Sequence, residues 1–151
     1  MNLKDALQSV HLFARKEALV PLSTVWGEQL DPEHILEEYP RPQLVRDNYM
    51  NLNGYWNYKI LKKDKNKISE LQGKILVPFS PEAPLSGVNH QLLPSETLIC
   101  ERKFPKLQSP GEGYHCILHF GAVDQFCQVS VNGQTVTTHL GGYLPFSVDI
   151  T

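Results

Sequence analysis

Residues 118 to 151, LHFGAVDQFCQVSVNGQTVTTHLGGYLPFSVDIT, constrain the fold more than any other stretch of the chain. Within them Asn132-Gly133 stands between two runs of strand character. Both central residues of a type I′ turn need a positive φ, which Asn and Gly adopt at the least steric cost, so this dipeptide predicts a tight β-hairpin. Ahead of it Val123, Gln125, Cys127, Val129 and Val131 share one face of a period-two pattern. Beyond it Leu144, Phe146, Val148 and Ile150 alternate with Tyr143, Pro145, Ser147 and Asp149. Such alternation predicts strands buried on one face only. Between these runs lies His139-Leu140-Gly141-Gly142-Tyr143. Its adjacent glycines predict a sharp backbone turn or the close approach of another group.

The rest of the chain punctuates itself with turn residues. Leu3, Ala6, Leu7, Val10, Phe13, Ala14 and Leu19 have helical spacing, so a short N-terminal helix is expected over residues 1 to 20, stopped by Pro21. From residue 21 to 48, four prolines predict an extended wrapping segment, anchored by Trp26, Tyr39 and Leu44. Asp31-Pro32-Glu33 is suited to open one helical turn through Leu36. Strands are expected over 55 to 60, 74 to 77, 97 to 104 and 114 to 120. KKDKNK at 62 to 67 is expected as a solvated loop, and 78 to 94 as a long irregular connection. A turn is expected at Ser109-Pro110-Gly111. Seven or eight short strands joined by turns and crossing loops predict an all-β fold, a two-sheet antiparallel β-sandwich of jelly-roll type.

Composition narrows the function classes. A chain of 151 residues with net charge -2 has the size of one domain and no electrostatic footprint for nucleic acid or an anionic membrane. No run approaches the ~18 apolar residues of a membrane helix. Lys4, Asp5, Arg15, Lys16 and Glu17 interrupt any secretory h-region, which predicts a cytoplasmic protein. The three cysteines, Cys100, Cys116 and Cys127, form no CxxC pair, so neither a disulfide framework nor a zinc ribbon is expected. All three are expected to be buried small hydrophobes.

Self-contained chemistry is not expected. His115 and His119 have chelating spacing only on a helix; on a strand they stand about 13 Å apart, too far to share one ion. No metal site and no cofactor follow. Gly111-Glu112-Gly113 and Gly141-Gly142 match neither a P-loop nor a dinucleotide fingerprint. Ser130 lacks a nucleophile elbow. Glu96 and Glu101 lie on opposite faces of one strand and cannot flank one glycosidic oxygen. Asp124 and Asp149 fit turn or strand-end positions that accept from backbone N–H groups.

Five segments then carry a resemblance. EYPRPQLVR at 38 to 46, LNGYW at 52 to 56, VPFSPEAPLSGV at 77 to 88, ERKF at 101 to 104 and the opening stretch at 118 to 151 resemble, in order and spacing, the N-terminal sugar-binding domain of glycoside hydrolase family 2. That family comprises β-galactosidases, β-glucuronidases and β-mannosidases. The resemblance runs from about Trp26 to Thr151, and the AVD, VNG, GGY-PF and DIT elements are specific in combination. It implies a jelly-roll domain over 21 to 151, stopping before its last strand, at the head of a longer enzyme. An immunoglobulin-like sandwich and a (β/α)₈ barrel with two catalytic glutamates would follow. A barrel alone needs ~250 residues, so retaining hydrolysis would belong to the parent enzyme and no catalytic residue to this segment. Two positions depart from the family. Cys100 stands where an aromatic is common. Gly141 stands where β-galactosidases of the family carry an acidic residue that reaches the sugar.

The expectation is therefore a non-catalytic carbohydrate-binding and scaffolding domain whose partners are a β-glycoside, reached through the parent, and the neighbouring domains. The sugar-proximal loop would comprise His139, Gly141, Gly142 and Tyr143, with Tyr143 stacking on a sugar face and His139 hydrogen-bonding a hydroxyl. An unpaired sheet edge left by the missing strand predicts self-association or packing on a neighbour. The competing expectations are a free-standing carbohydrate-binding module and a purely structural interaction sandwich.

Overall fold

A computed structural model of the chain describes residues 22–39, 42–64, 67–105 and 111–151. The expected N-terminal helix lies outside the described residues, as do Ser109 and Pro110 of the expected turn. The chain divides into two compact units, Met1–Lys103 and Phe104–Thr151. Regular structure among the described residues is almost all strand, and every strand pairing is antiparallel. The fold class is all-β. No helix among the described residues is long and apolar enough to cross a membrane.

In the first unit, strands β1 (Gly54–Asp64), β2 (Lys67–Val77) and β3 (Glu96–Glu101) form one sheet in the order β2-β1-β3. Period two puts Trp56, Tyr58 and Ile60 on one face of β1. Their cross-strand partners are Ile75, Gly73 and Leu71 on β2, and Cys100 and Leu98 on β3. Tyr58, Ile60 and Ile75 are buried, with Trp56, Val77, Val88, Leu92 and Leu98 packed around them. Gly73 makes room for Tyr58: a Cβ there would lie 3.1 Å from the tyrosine Cε1.

This sheet is larger than the expected one. Lys62, Lys63 and Asp64 continue β1, and Lys67 already belongs to β2, so the charged run is strand on both sides of residues 65 and 66. The strand expected from Lys74 begins at Lys67. Pairing over eleven residues, with a Lys59–Glu70 ion pair across it at 3.2 Å, overrides the weak propensity of this segment. β3 is shorter than expected because the chain turns away at Arg102. Its Nη1 donates to the carbonyls of Leu52 (2.7 Å) and Asn53, tying the exit of β3 to the entry of β1.

The connection from 78 to 94 is knit to itself and to the sheet. The Ser86 hydroxyl, fully buried, donates to the Pro81 carbonyl and accepts from Val88 N at 3.0 Å. Glu82 and Glu96 accept from the amides of Leu92 and Leu93. His90 joins Glu96 at 2.8 Å, and these contacts hold the Glu96 carboxyl below its ordinary range. The long loop thereby brings Val88 and Leu92 onto the core face.

The segment before β1 is irregular apart from a 3-10 turn at Pro42–Leu44 and one helical turn, α1 (Val25–Glu28), capped by the Thr24 hydroxyl accepting from Gly27 N at 3.1 Å. Its anchor is Ile35, 2% exposed, whose carbonyl accepts from the side-chain amides of Asn51 and Asn53. Two of the expected anchors are not anchors: Trp26 is 81% exposed and Leu44 is exposed as well. Tyr39 is half-buried, edge-on to Tyr49. Asp31 starts a turn, accepting from Glu33 N, but Leu36 takes φ 45 and no helix follows.

In the second unit, β4 (Ile117–Phe120) pairs with β7 (Phe146–Asp149), and β5 (Phe126–Val131) pairs with β6 (Gln134–Leu140). β4 begins three residues later than the expected Tyr114. Asn132 and Gly133 take φ values of 52 and 79, as the type I′ reading requires. Val123, Cys127, Val129 and Val131 are half-buried on the predicted face, whereas Gln125 is exposed. Phe146, Val148 and Ile150 are half-buried too, but Leu144 is exposed because β7 starts only at Phe146. Cys116 and Cys127 are half-buried, and Cys100 is exposed, contrary to expectation.

His115 and His119 take separate partners, the Asp149 carboxylate at 2.6 Å and the Ser147 hydroxyl at 2.6 Å. Asp149 closes the end of β7. Its Oδ1 accepts from Thr151 N (2.9 Å) and Thr151 Oγ1 (2.6 Å), while Thr151 Oγ1 accepts from Cys116 N. The Thr151 hydroxyl and amide, followed by His115, hold the Asp149 carboxyl at about 2, below its ordinary 3.8. A carboxylate favoured in the folded state adds stability above its unfolded pKa and loses it as the pH falls toward the folded one. The contribution is whole above about pH 4 and lost toward pH 2. Urea midpoints of the native chain and Asp149→Asn should differ at about pH 6 and converge near pH 2; a gap that does not change with pH would refute this role.

Candidate functional site

The segment from His139 to Tyr143 is positioned by the β5–β6 ribbon. From the turn the register runs regularly to Ser130↔Thr135, then shifts to Val129↔Thr137. Val136 is the extra residue, a β-bulge, and Val136 and Thr137 are both half-buried opposite Val129. Beyond a bulge the alternation changes parity. His139 therefore faces inward beside Cys127, and Leu140 faces outward beside Phe126, 73% exposed.

Inside, the His139 ring stacks on Phe146 with centroids 4.2 Å apart and planes 14° apart. Phe120 stacks on Phe146 at 4.7 Å. The His139 Nε2 is enclosed and has no hydrogen-bond partner among the described residues. It lies 3.8 Å from where a side chain on Gly141 would begin.

The two glycines are held against the strand opposite. Gly141 donates its N–H to the Gln125 carbonyl at 2.7 Å. Carrying the Phe126↔Leu140 register two residues further sets Asp124 across from Gly142. A Cβ on Gly142 would fall on the Asp124 carboxylate, 2.8 Å from its Cγ. The close approach that the double glycine predicts is thus made by the chain's own Asp124. Tyr143 follows with its side chain 95% exposed.

Gly141 and Gly142 are brought together with Gln125 and Asp124, while His139 and Tyr143 are separated, one stacked inside and one held out in solvent. The segment offers an aromatic face on a pinned turn and a nearby carboxylate. From sequence Asp124 fits only a turn or strand-end position that accepts from backbone N–H groups. Carried on without a bulge, the hairpin register sets Asp124 across from Gly141; the bulge at Val136 moves it one residue, to Gly142. No family model matches the chain, and no curated protein matches it.

Proposed function

We propose that the chain is the non-catalytic carbohydrate-binding and scaffolding domain of a family 2 glycoside hydrolase, with its strands in jelly-roll order. The observation that carries this reading is the Tyr143 ring, 95% exposed on a turn fixed by the Gly141–Gln125 hydrogen bond and by Asp124 against Gly142. A rigid exposed ring offers an apolar face to the C–H side of a pyranose, and the Asp124 carboxylate lies at the base of the same turn. The five sequence segments that resemble the family, and strands that are antiparallel throughout, support the same reading. Hydrolysis would be the work of two glutamates in a barrel elsewhere in the parent enzyme, with Tyr143 at the rim of that site.

In the parent enzyme, Tyr143→Ala should raise KM by up to about tenfold with kcat little changed, the loss of one stacking contact made equally in ground and transition states. Unchanged kinetics on galactosides, glucuronides and mannosides would sink the rim assignment and leave a structural sandwich. A second reading, a module that binds sugar alone, is favoured by the exposure of Trp26. Binding heat from the isolated chain at millimolar sugar, abolished by Trp26→Ala, would select it.

A further inference from the structure

The face of the first sheet opposite Tyr58 and Ile60 carries Tyr55, Asn57 and Lys59 from β1. In the register, Asn57 stands between Lys74 of β2 and Glu101 of β3. At the Tyr55 end of the sheet opens a cleft of about 350 Å³, lined by Trp56 from the core face together with Tyr55, Asn57, Lys74, Glu101, Arg102 and Lys103.

Its charge is lopsided, with three cations against one carboxylate. Among the described residues the ion pairs are His34–Glu37, Lys59–Glu70, His90–Glu96 and His115–Asp149, so none involves a group of this cleft. The Lys74 ammonium lies 5.9 Å from the Tyr55 ring centroid and is held by the ring rather than by a carboxylate. Arg102 is fixed by the two carbonyls that its Nη1 serves. Its Nε and Nη2 have no protein acceptor among the described residues. A planar guanidinium with free N–H groups, half-buried and immobilised, suits the oxygens of a carboxylate or phosphate. Cations gathered in a concave site repel one another, and a bound anion relieves that repulsion.

We infer that this cleft binds the phosphate or carboxylate group of a small polar molecule. Arg102 is the fixed fork, Lys74 and Lys103 are the cationic arms, and Asn57 hydrogen-bonds the remainder of the ligand. Glu101 opposes the anion and keeps affinity modest. The inference does not depend on the proposed function, since no residue of the 139–143 segment takes part.

Amide chemical shifts of the full chain, followed during titration with inorganic phosphate and separately with acetate at about 0.15 M salt, test it. Saturable shifts confined to Tyr55, Asn57, Lys74, Glu101, Arg102 and Lys103 are expected, and the probe that binds more tightly names the anion class. Lys74→Gln combined with Lys103→Gln should weaken binding at least about tenfold, whereas Glu101→Gln should tighten it about threefold. Both lysines are exposed, so the double variant should keep the native circular dichroism. Shifts that do not saturate, that spread over lysines generally, or that are unaltered in all these variants would overturn the site.

Discussion

Ile75→Ala is expected to destabilise the first unit by about 3–4 kcal/mol. Ile75 is 2% exposed and packs with Tyr58 and Ile60, which with it form the buried cluster of the sheet. Removing its branched side chain forfeits the transfer energy of three carbons and leaves a cavity bounded by strands that cannot collapse into it. A domain whose whole stability is about 5–15 kcal/mol has little reserve against such a loss. Urea unfolding followed by tryptophan fluorescence reports it, because Trp56 packs on this cluster whereas Trp26 is exposed in the folded state. The midpoint should fall by more than about 1 M with the slope unchanged. Ile99→Ala is the control: Ile99 is exposed on the opposite face of the same sheet, and its truncation should cost no more than about 0.5 kcal/mol. Equal losses from the two substitutions would show that the buried face is misassigned.

Phe146→Ala is expected to have a comparable effect in the other unit. Phe146 lies between the rings of Phe120 and His139, so it is where the β4–β7 pair and the β5–β6 ribbon meet. A two-stranded pair alone is marginal in water. Each of these two depends on the other for cover, and the stacked rings supply it. Truncation should cost about 3 kcal/mol and remove amide exchange protection from both pairs together. Leu144→Ala, two residues away at an exposed position, should leave that protection intact. Loss of protection in β4 and β7 alone, with β5 and β6 unaffected, would mean that the ribbon stands without Phe146.

The parts legible in the sequence are those governed by local chemistry. Asn132-Gly133 named its turn because few other residue pairs accept two positive φ values. The inward row of Cys127, Val129 and Val131 followed from period two. The exposure of Tyr143 was compatible with its place after two glycines. What escaped depended on neighbours distant in sequence. Thr135-Val136-Thr137-Thr138 has strand propensity throughout and no glycine, so nothing local marked Val136 as a bulge. Without it, parity turns His139 to the solvent and Leu140 to the core, the reverse of what is found. Trp26 and Leu44 have the hydrophobicity of anchors, whereas the real anchor, Ile35, is selected by two asparagine amides that arrive from residues 51 and 53. Residues 67 to 73 look polar and broken by Gly73, and they become strand because β1 is there to pair with. The cleft beside Tyr55 depends likewise on the juxtaposition of three strands, which no single stretch announces.

The Asn132-Gly133 turn also has a consequence in time. β4 and β7 belong to opposite ends of the second unit's sequence, and closing so long a loop for four residues of pairing is entropically costly. A hairpin needs only its own neighbours and forms within about 1–10 μs. Once β5 and β6 have zipped from that turn to Phe126↔Leu140, the distance left to close is the two short connections flanking the ribbon. Topology therefore predicts that the ribbon forms first in this unit and serves as the clasp that delivers Phe120 to Phe146.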